Sequence, residues 1–314
     1  MASGVASFLL ATALFLVHSH ANLAGLAPEG QTAPGFSYSG NNGPDKWGSL
    51  SPIYAPCSKG KWQSPIDIDK DKVVLNKTLK PLVSNYYPTN ATLVDRGYNV
   101  GVLFGNAGVL IVDGKNYTLL QMHWHIPSEH KINGVSYALS LSLSLSLSLV
   151  FLGETQNRIL SKDYQYPEIR RRDMARYAAE LHLVHKASDG GFSVVAVLYK
   201  LGHPDPIVAK VQRKLSELEE EVRARHEVVA QVAVGTFETQ KLKRHPHKYY
   251  RYGGSLTTPP CSESVIWHVL AKVRSISREQ VEALDAPLES TCKRNCRPVQ
   301  PLNGRRVELF DELA

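Results

Sequence analysis

Three histidines have the spacing to bind one metal ion. His123 and His125 lie two residues apart in the strand-like segment "LLQMHWHIPSEH". Alternate residues of a β-strand point to the same face of a sheet, so both imidazole rings would project to one side. His182 lies in a second strand-like segment, "AAELHLVH", which could bring it to the same point. Three neutral imidazoles leave one position of a tetrahedral zinc ion open, which is typical of a catalytic site.

An H-x-H pair is weak evidence by itself, because most such pairs are surface or core histidines. The surrounding elements therefore decide the interpretation. Short segments rich in Val, Ile, Tyr and Thr alternate with Gly, Asn and Pro, which predicts a mostly β protein. Strands are predicted within 91–104, 108–126, 178–185 and 192–201, and a buried strand is predicted after the irregular turn at Pro259 and Pro260, which would interrupt a ladder.

One segment has the periodicity of a helix. In residues 206–222, the apolar side chains Val208, Val211, Leu215 and Leu218 follow each other at intervals of three and four residues. This spacing places them along one face of an amphipathic helix. Other helical stretches are few in the sequence.

The composition indicates an ordinary globular protein. The chain has 314 residues, of which 43% are hydrophobic and 21% charged, and this is enough to bury a sizeable core. The formal net charge is +7, but the basic residues are dispersed apart from 170–172 and 241–244. No nucleic-acid-binding motif accompanies them, so we expect a solvated surface and no nucleic-acid partner.

The N-terminus has the features of a secretory signal. The apolar run Phe8–Val17 is too short to span a bilayer, and small residues follow near Ala21. We predict a signal peptide at 1–21 and no membrane span in the mature chain; a buried N-terminal segment is the alternative, because no basic residue precedes the run. Three glycosylation sequons, at Asn76, Asn90 and Asn116, fit the secretory route.

Four cysteines allow two interpretations. Cys292 and Cys296 have the spacing C-x3-C, whereas Cys57 and Cys261 are isolated, and the four show no zinc-ribbon pattern. In an oxidising compartment a Cys57–Cys261 disulfide would close a very long loop. Buried free thiols are the alternative.

Taken together, the motifs resemble the α-class carbonic anhydrases, most closely those of plants. In family order the matching segments are "YSGNNGPDKWGSL", "QSPIDI", "QMHWHIPSEH", "YAAELHLVH", "YYRYGGSLTTPPCSESVIW" and "RPVQPLNGR". The resemblance implies a single domain at 35–314, built on a large, mainly antiparallel, twisted central sheet of about ten strands with a few peripheral helices. It also implies reversible hydration of CO2 to bicarbonate and a proton through zinc-bound hydroxide. The pKa of about 7 for zinc-bound water is established for these enzymes themselves.

The resemblance assigns roles to individual residues. It implies Zn2+ as the cofactor and CO2 or bicarbonate as the small-molecule substrate, and it matches Cys57 and Cys261 to a disulfide of secreted members. Glu129 and Thr257 match an acid–hydroxyl pair in which the hydroxyl donates to the acid. The zinc ligands would be His123, His125 and His182. The residues that hold their outer ring nitrogens would be Gln121 and Glu180. The substrate-binding residues would be Val184, Val194, Leu256, Thr258, Val265 and Trp267.

The chain departs from the family at the proton-shuttle position. The family has histidine in a "GH" context there, and the alignment of "RGYNVGVLF" places Tyr98 at that position. Tyrosine, with an ordinary pKa of about 10, is a poor proton acceptor near neutral pH, whereas histidine titrates in the right range. We therefore expect any CO2 hydration to be limited by proton transfer.

A second departure is an insertion. Glu129 and His182 are 53 positions apart, where the family has about a dozen, so about forty residues, approximately 136–175, are additional and include the Ser-Leu repeat at 139–149. They could be a surface loop, or a strand segment with an unpaired, aggregation-prone edge. We favour a third interpretation, a retained intron, because a repeated TC dinucleotide encodes alternating Ser and Leu. If present, the segment is expected to be disordered.

Two functions remain open from the sequence, and a third, weaker one is an esterase-like side activity at the same site, since zinc hydroxide can attack activated esters. The first is a secreted zinc enzyme, located extracellularly or, as in some plant relatives, in the plastid stroma or lumen. The second is a catalytically weak or inactive relative that serves as a storage or binding protein. The intact histidines favour the first, and Tyr98 and the insertion favour the second; the oligomeric state is not predicted.

Overall fold

The computed structural model describes residues 35–134, 176–225, 230–243 and 245–314. All of them lie in one compact unit, 32–314. The predicted signal peptide at 1–21 and the predicted insertion at 136–175 lie outside the described residues.

The described residues are mostly β. Their strands are β1 Asp67–Ile68, β2 Val74–Leu75, β3 Val83–Tyr86, β4 Thr89–Asp95, β5 Val100–Phe104, β6 Gly108–Val112, β7 Lys115–His125, β8 Lys131–Ile132, β9 Ala179–Lys186, β10 Phe192–Leu201, β11 Ala230–Phe237, β12 Lys248–Ser255, β13 Glu263–Leu270, β14 Arg274–Ile276 and β15 Glu308–Asp311. The mostly β class and the large central sheet are confirmed.

One mixed sheet contains thirteen of these strands, rather than about ten. Its main path is β11-β4-β5-β7-β9-β10-β13-β12-β15-β2, with β6 beside β7, β3 beside β6, and β14 beside β10. Neighbours are antiparallel except at β10–β13, β10–β14 and β15–β2. The figure of about ten came from the family resemblance, and the short strands β2 and β14, of two and three residues, are among those that bring the total to thirteen.

The register of the central strands brings the site together. His123 on β7 lies directly opposite His182 on β9, and Gly101 on β5 lies directly opposite His123 on its other side. Directly paired residues of antiparallel strands project to the same face of the sheet. We call the face that carries His123, His125 and His182 the site face.

Four α-helices lie among the described residues: α1 Trp47–Leu50, α2 Pro56–Lys59, α3 Pro206–Arg225 and α4 Arg278–Asp285. Helix α3 confirms the predicted amphipathic helix, and its four periodic apolar side chains are buried. It begins where it does because Asp205 Oδ1 accepts hydrogen bonds from the backbone N–H groups of Ile207, at 2.8 Å, and Val208, at 3.2 Å. None of the described helices is long and apolar enough to cross a membrane.

A disulfide joins Cys57 to Cys261, which confirms the predicted pairing. It links α2 to the segment that follows β12, across 204 positions of the sequence. Cys292 is a buried free thiol and Cys296 a half-buried one. The structure thus gives a disulfide at one pair of cysteines and free thiols at the other.

Candidate metal centre

The three predicted ligands meet at one point of the site face. His125 and His182 are fully buried, and His123 is 8% exposed. The Nε2 atoms of His123 and His125 are 3.1 Å apart, and one ring nitrogen from each of the three residues lies within 4.8 Å of the others. The register of β7 and β9 creates this cluster, so its geometry is a consequence of strand pairing.

The outer ring nitrogens of the two β7 histidines are held by oxygen acceptors. His123 Nδ1 lies 2.9 Å from Gln121 Oε1, and His125 Nδ1 lies 2.5 Å from the backbone carbonyl oxygen of Asn295. Because an oxygen acceptor requires the N–H to be on Nδ1, the Nε2 atom of each ring carries a lone pair directed to the centre of the cluster.

Glu180 holds the third histidine. Its Oε1 lies 2.7 Å from His182 Nε2 and 2.6 Å from His130 Nδ1, and its Oε2 accepts the backbone N–H groups of Glu129 and His130, both at 2.8 Å. Burial raises the pKa of Glu180, but the charges of His130 and His182 outweigh burial and bring it well below its ordinary value. The carboxylate therefore stays ionised and fixes His182 with its Nδ1 facing inward.

These residues fit a zinc ion. Burial first, and then the charges of neighbouring histidines, lower the pKa of His123 well below 6.5, and burial also lowers the pKa of His125. The rings of His123 and His125 are therefore neutral, as metal ligands must be. Converging nitrogen lone pairs repel each other unless a cation separates them, and three imidazoles are a donor set that suits zinc.

The predicted acid–hydroxyl pair is not hydrogen-bonded, although the acid, Glu129, lies beside the cluster. Glu129 Oε1 accepts the backbone N–H of Arg297 at 2.9 Å, whereas Glu129 Oε2 is buried without a hydrogen-bond partner and lies 3.3 Å from His125 Nε2. Among the described residues, Thr257 makes no hydrogen bond to Glu129. The carboxylate oxygen expected to accept that hydroxyl faces His125 instead.

The predicted substrate-binding residues form an apolar wall beside the histidines. Val194 on β10 pairs with Val184 on β9 and with Trp267 on β13, so the three side chains lie in one row. Val184, Val194, Trp267 and Val265 are buried in one hydrophobic cluster, and the half-buried Leu256 packs against it. Thr258 is half-buried. The ring centroid of Trp267 is 4.8 Å from that of His182, so the wall adjoins the metal cluster.

Tyr98, at the shuttle position, lies in an aromatic cluster. Only 8% of it is exposed, and its ring centroid is 5.1 Å from that of Phe36. Phe36 in turn packs against Trp47 at 5.3 Å. Tyr98 therefore contributes to the packing between the N-terminal segment and the β4–β5 turn.

Several residues that shape the site were not predicted from the sequence. Asn295 acts through its backbone carbonyl, which accepts a hydrogen bond from His125 and cannot be recognised from the residue type. Its side-chain amide also donates hydrogen bonds to the carbonyl oxygens of Tyr98, at 3.0 Å, and Trp124, at 3.1 Å. His130 links Glu180 to the hydroxyl of Tyr252, at 2.7 Å. His130 belongs to the quoted "SEH" motif, so a search for charged or polar neighbours of Glu129 could have found it.

The three sequon asparagines differ in their surroundings. Asn90 and Asn116 are exposed, whereas Asn76 is half-buried and donates to Glu308 Oε1 at 2.9 Å. Exposure at the first two positions is compatible with a glycan, and glycosylation at all three stays a prediction.

The fold and the cluster define a mostly β protein with three buried histidines that could hold a metal ion, and comparisons identify its family. A model of eukaryotic-type carbonic anhydrase matches residues 42–149 and 171–310. Alpha carbonic anhydrase 7 of Arabidopsis thaliana is 35% identical over 309 residues, which are 96% of this chain and 94% of that protein. The chain therefore belongs to the eukaryotic-type carbonic anhydrase family. The interruption at 150–170 falls within the predicted insertion.

Solved structures have the same fold. Dioscorin complexed with ascorbate superposes with a TM-score of 0.71 at 31% identity, covering 88% of this chain and 98% of that one. An α-carbonic anhydrase from Thermovibrio ammonificans in complex with the inhibitor sulfanilamide superposes with a TM-score of 0.65 at 33% identity, covering 88% of this chain and all of that one.

Proposed function

We propose that this protein is a zinc-dependent carbonic anhydrase that interconverts CO2 and bicarbonate. The observation that carries the proposal is the cluster of His123, His125 and His182, in which each outer nitrogen faces an oxygen acceptor and the inner nitrogens converge on one point. Such a cluster on the sheet of a carbonic anhydrase family member supports Zn2+ as the cofactor.

Zinc, when bound, supplies a Lewis acid that lowers the pKa of water. The chain's own residues would do the remaining work. Val184, Val194 and Trp267 exclude water from one side of the cluster and offer an apolar surface to CO2, which has no charge to solvate. The partnerless Glu129 Oε2 is an acceptor for a hydroxyl group, and Thr257 is the proposed donor.

The proton released by hydration must leave the pocket. The family's shuttle residue is replaced by Tyr98, which is packed against Phe36. We propose that proton transfer limits turnover and that buffer molecules take over this step.

The remaining assignments are also proposals. We propose that residues 1–21 are a signal peptide, that the enzyme domain spans 35–314 with an insertion at about 136–175, and that the chain follows the secretory route to the extracellular space or the plastid. The Cys57–Cys261 disulfide supports an oxidising compartment.

CO2 hydration with quantified metal tests the proposed function. Purified protein is stripped of metal with a chelator, then reloaded with one equivalent of zinc, and initial rates are measured by stopped-flow in strong buffer. The proposal expects stoichiometric zinc and hydration that disappears and returns with the metal. Stoichiometric zinc without turnover would contradict it.

A binding protein without catalysis is the second candidate. The observations that favour it are the buried Tyr98 at the shuttle position and the fold shared with dioscorin, which was solved with ascorbate. Titration of the zinc-loaded protein with ascorbate, followed by calorimetry, tests this candidate. Saturable ascorbate binding in a protein that lacks hydration would support it, and absence of binding would contradict it.

A further inference from the structure

Arg96 is a buried cation beside the metal centre. It lies in the turn between β4 and β5, where its backbone N–H donates to Asn99 O at 3.1 Å, and the residue is only 9% exposed. Its guanidinium extends to the strand that pairs with β7. A Cβ atom on Gly101 would lie 3.5 Å from Arg96 Nη1 and 3.3 Å from His123 Cβ. The guanidinium thus borders the space that a side chain at position 101 would fill, next to His123 on the site face.

The charge of Arg96 is not balanced by a carboxylate. Its Nη2 is buried without a hydrogen-bond partner, and no ion pair to Arg96 occurs within the described parts of the chain. Its sequence neighbour Asp95 bonds Gly97 N at 2.8 Å instead. Burial raises the pKa of Asp95 to about 7, and the nearby charges that act on it are those of Glu289 and Lys293, not that of Arg96. The Arg96 side chain hydrogen-bonds the hydroxyl of Tyr98, which is not a counter-ion, and burial lowers the pKa of Arg96. A buried guanidinium without a carboxylate partner is unfavourable, so an anion at this position would be stabilising.

We propose that Arg96 binds bicarbonate next to His123 and makes this position selective for small planar oxyanions. A guanidinium is planar and can donate two parallel hydrogen bonds, which match two oxygens of bicarbonate or of a carboxylate. His123 is 8% exposed, so solvent reaches this part of the site face. The inference deepens the proposed function and rests on it for the identity of the anion.

The position of Arg96 also has a consequence for zinc. Its guanidinium borders the same space as His123, so its positive charge repels a cation bound at the histidine cluster. Arg96 should therefore weaken zinc binding while it strengthens anion binding, and a bound anion should reduce the penalty on zinc.

Opposite changes in two affinities provide the test. Wild type, Arg96→Gln and Arg96→Lys are compared with Arg251→Gln, a control that removes an arginine paired with Asp113 elsewhere on the sheet. Bicarbonate affinity is measured by calorimetry on the metal-free and the zinc-loaded protein at one pH, and zinc affinity by competition with a chelator.

For Arg96→Gln we expect bicarbonate affinity to fall about tenfold in both forms, as for the loss of one charge-assisted hydrogen bond, and zinc affinity to rise. Arg96→Lys should retain part of the bicarbonate affinity, and Arg251→Gln should change neither.

Three results would overturn the inference: unchanged bicarbonate affinity in Arg96→Gln, no bicarbonate binding by the wild type, or a parallel loss of bicarbonate and zinc affinity. The last result would mean that Arg96 has only a structural role. Failure of the proposed function is recognised separately, because a wild-type protein that binds no zinc contradicts it, whereas the metal-free protein still reports on Arg96 and the anion.

Discussion

Strand β9 carries two buried histidines whose environments differ completely. His182 points to the site face, where Glu180 holds one ring nitrogen and the other is free. His185, three residues later, points to the opposite face, where both ring nitrogens are occupied. Its Nδ1 donates to Ser193 O at 3.1 Å, and its Nε2 accepts from the hydroxyl of Tyr86 at 2.6 Å.

A second histidine accompanies His185 on that opposite face. His268 Nδ1 lies 3.4 Å from Ser193 Oγ, and its Nε2 is buried without a partner. Burial lowers the pKa of His185 to about 4 and that of His268 to about 3. Both faces thus hold neutral, buried imidazoles. A metal site differs from a structural cluster in having several free nitrogens that converge, not in burial or in protonation.

Substitution of each β9 histidine by alanine should give the largest difference in zinc content and hydration rate between the two faces. His182→Ala removes a converging nitrogen, and we expect zinc to be lost and CO2 hydration to fall by about three orders of magnitude or more, because the Lewis acid is lost. His185→Ala should keep zinc and lower only the stability. Metal analysis and stopped-flow rates on both variants check this expectation. Full zinc occupancy in His182→Ala would break the comparison.

The acceptor for His182 should matter next. Glu180→Gln replaces an oxygen that accepts two N–H groups with an amide that presents its own N–H, so the ring of His182 loses its fixed orientation. We expect zinc affinity to fall about 10- to 100-fold. The matched control is Glu308→Gln, which changes a half-buried glutamate on β15. Equal zinc affinities for the two variants would show that the ligand orientation does not depend on Glu180.

The opposite face should determine the acid stability. Histidines of the unfolded chain titrate near pH 6.5, whereas His185 and His268 stay neutral in the folded chain down to about 4 and 3. Below pH 6.5 the unfolded state therefore binds more protons, and stability is lost as the pH falls. The loss is roughly 2 kcal/mol for each histidine between pH 7 and pH 5.

Urea unfolding at pH 5 to 8 checks this dependence. The double variant His185→Gln/His268→Gln serves as the comparison, because the histidines of the site face titrate in both proteins. We expect the double variant to have a flatter stability profile below pH 6.5. Parallel profiles would exclude these two histidines as the cause.

The smallest effect is expected at the shuttle position. Tyr98→His introduces a group that titrates near neutral pH, so hydration in weak buffer should rise. Because the ring at position 98 packs against Phe36, the gain should stay below the factor of about 100 that a well-placed general base contributes. Strong buffer should abolish the difference. Equal rates for wild type and Tyr98→His in both weak and strong buffer would contradict a limiting proton transfer.

Much of this arrangement was predictable from residue periodicity. A period of two puts His123 and His125 on one face, and the spacing of three places His185 opposite His182. The apolar positions of α3 follow in the same way from the helical period. Strands of two or three residues, such as β2 and β14, leave no such pattern and could not be predicted from periodicity.

The contributions of the backbone and of empty space were not predictable. Asn295 orients His125 with a carbonyl that every residue possesses. Arg96 lies beside His123 because Gly101 has no side chain there, and only the register between β5 and β7 brings the two positions together. Both features depend on tertiary structure rather than on the residue types in a motif.

Titration of the metal-free protein with Co2+ tests the central claim most directly, because the visible absorption of this ion reports its coordination geometry. Three converging imidazole nitrogens predict saturation at one equivalent, with the intense bands of four- or five-coordinate cobalt. These bands should persist in His185→Ala and be absent in His182→Ala. Weak six-coordinate spectra in the wild type, or intense bands that survive in His182→Ala, would contradict the account.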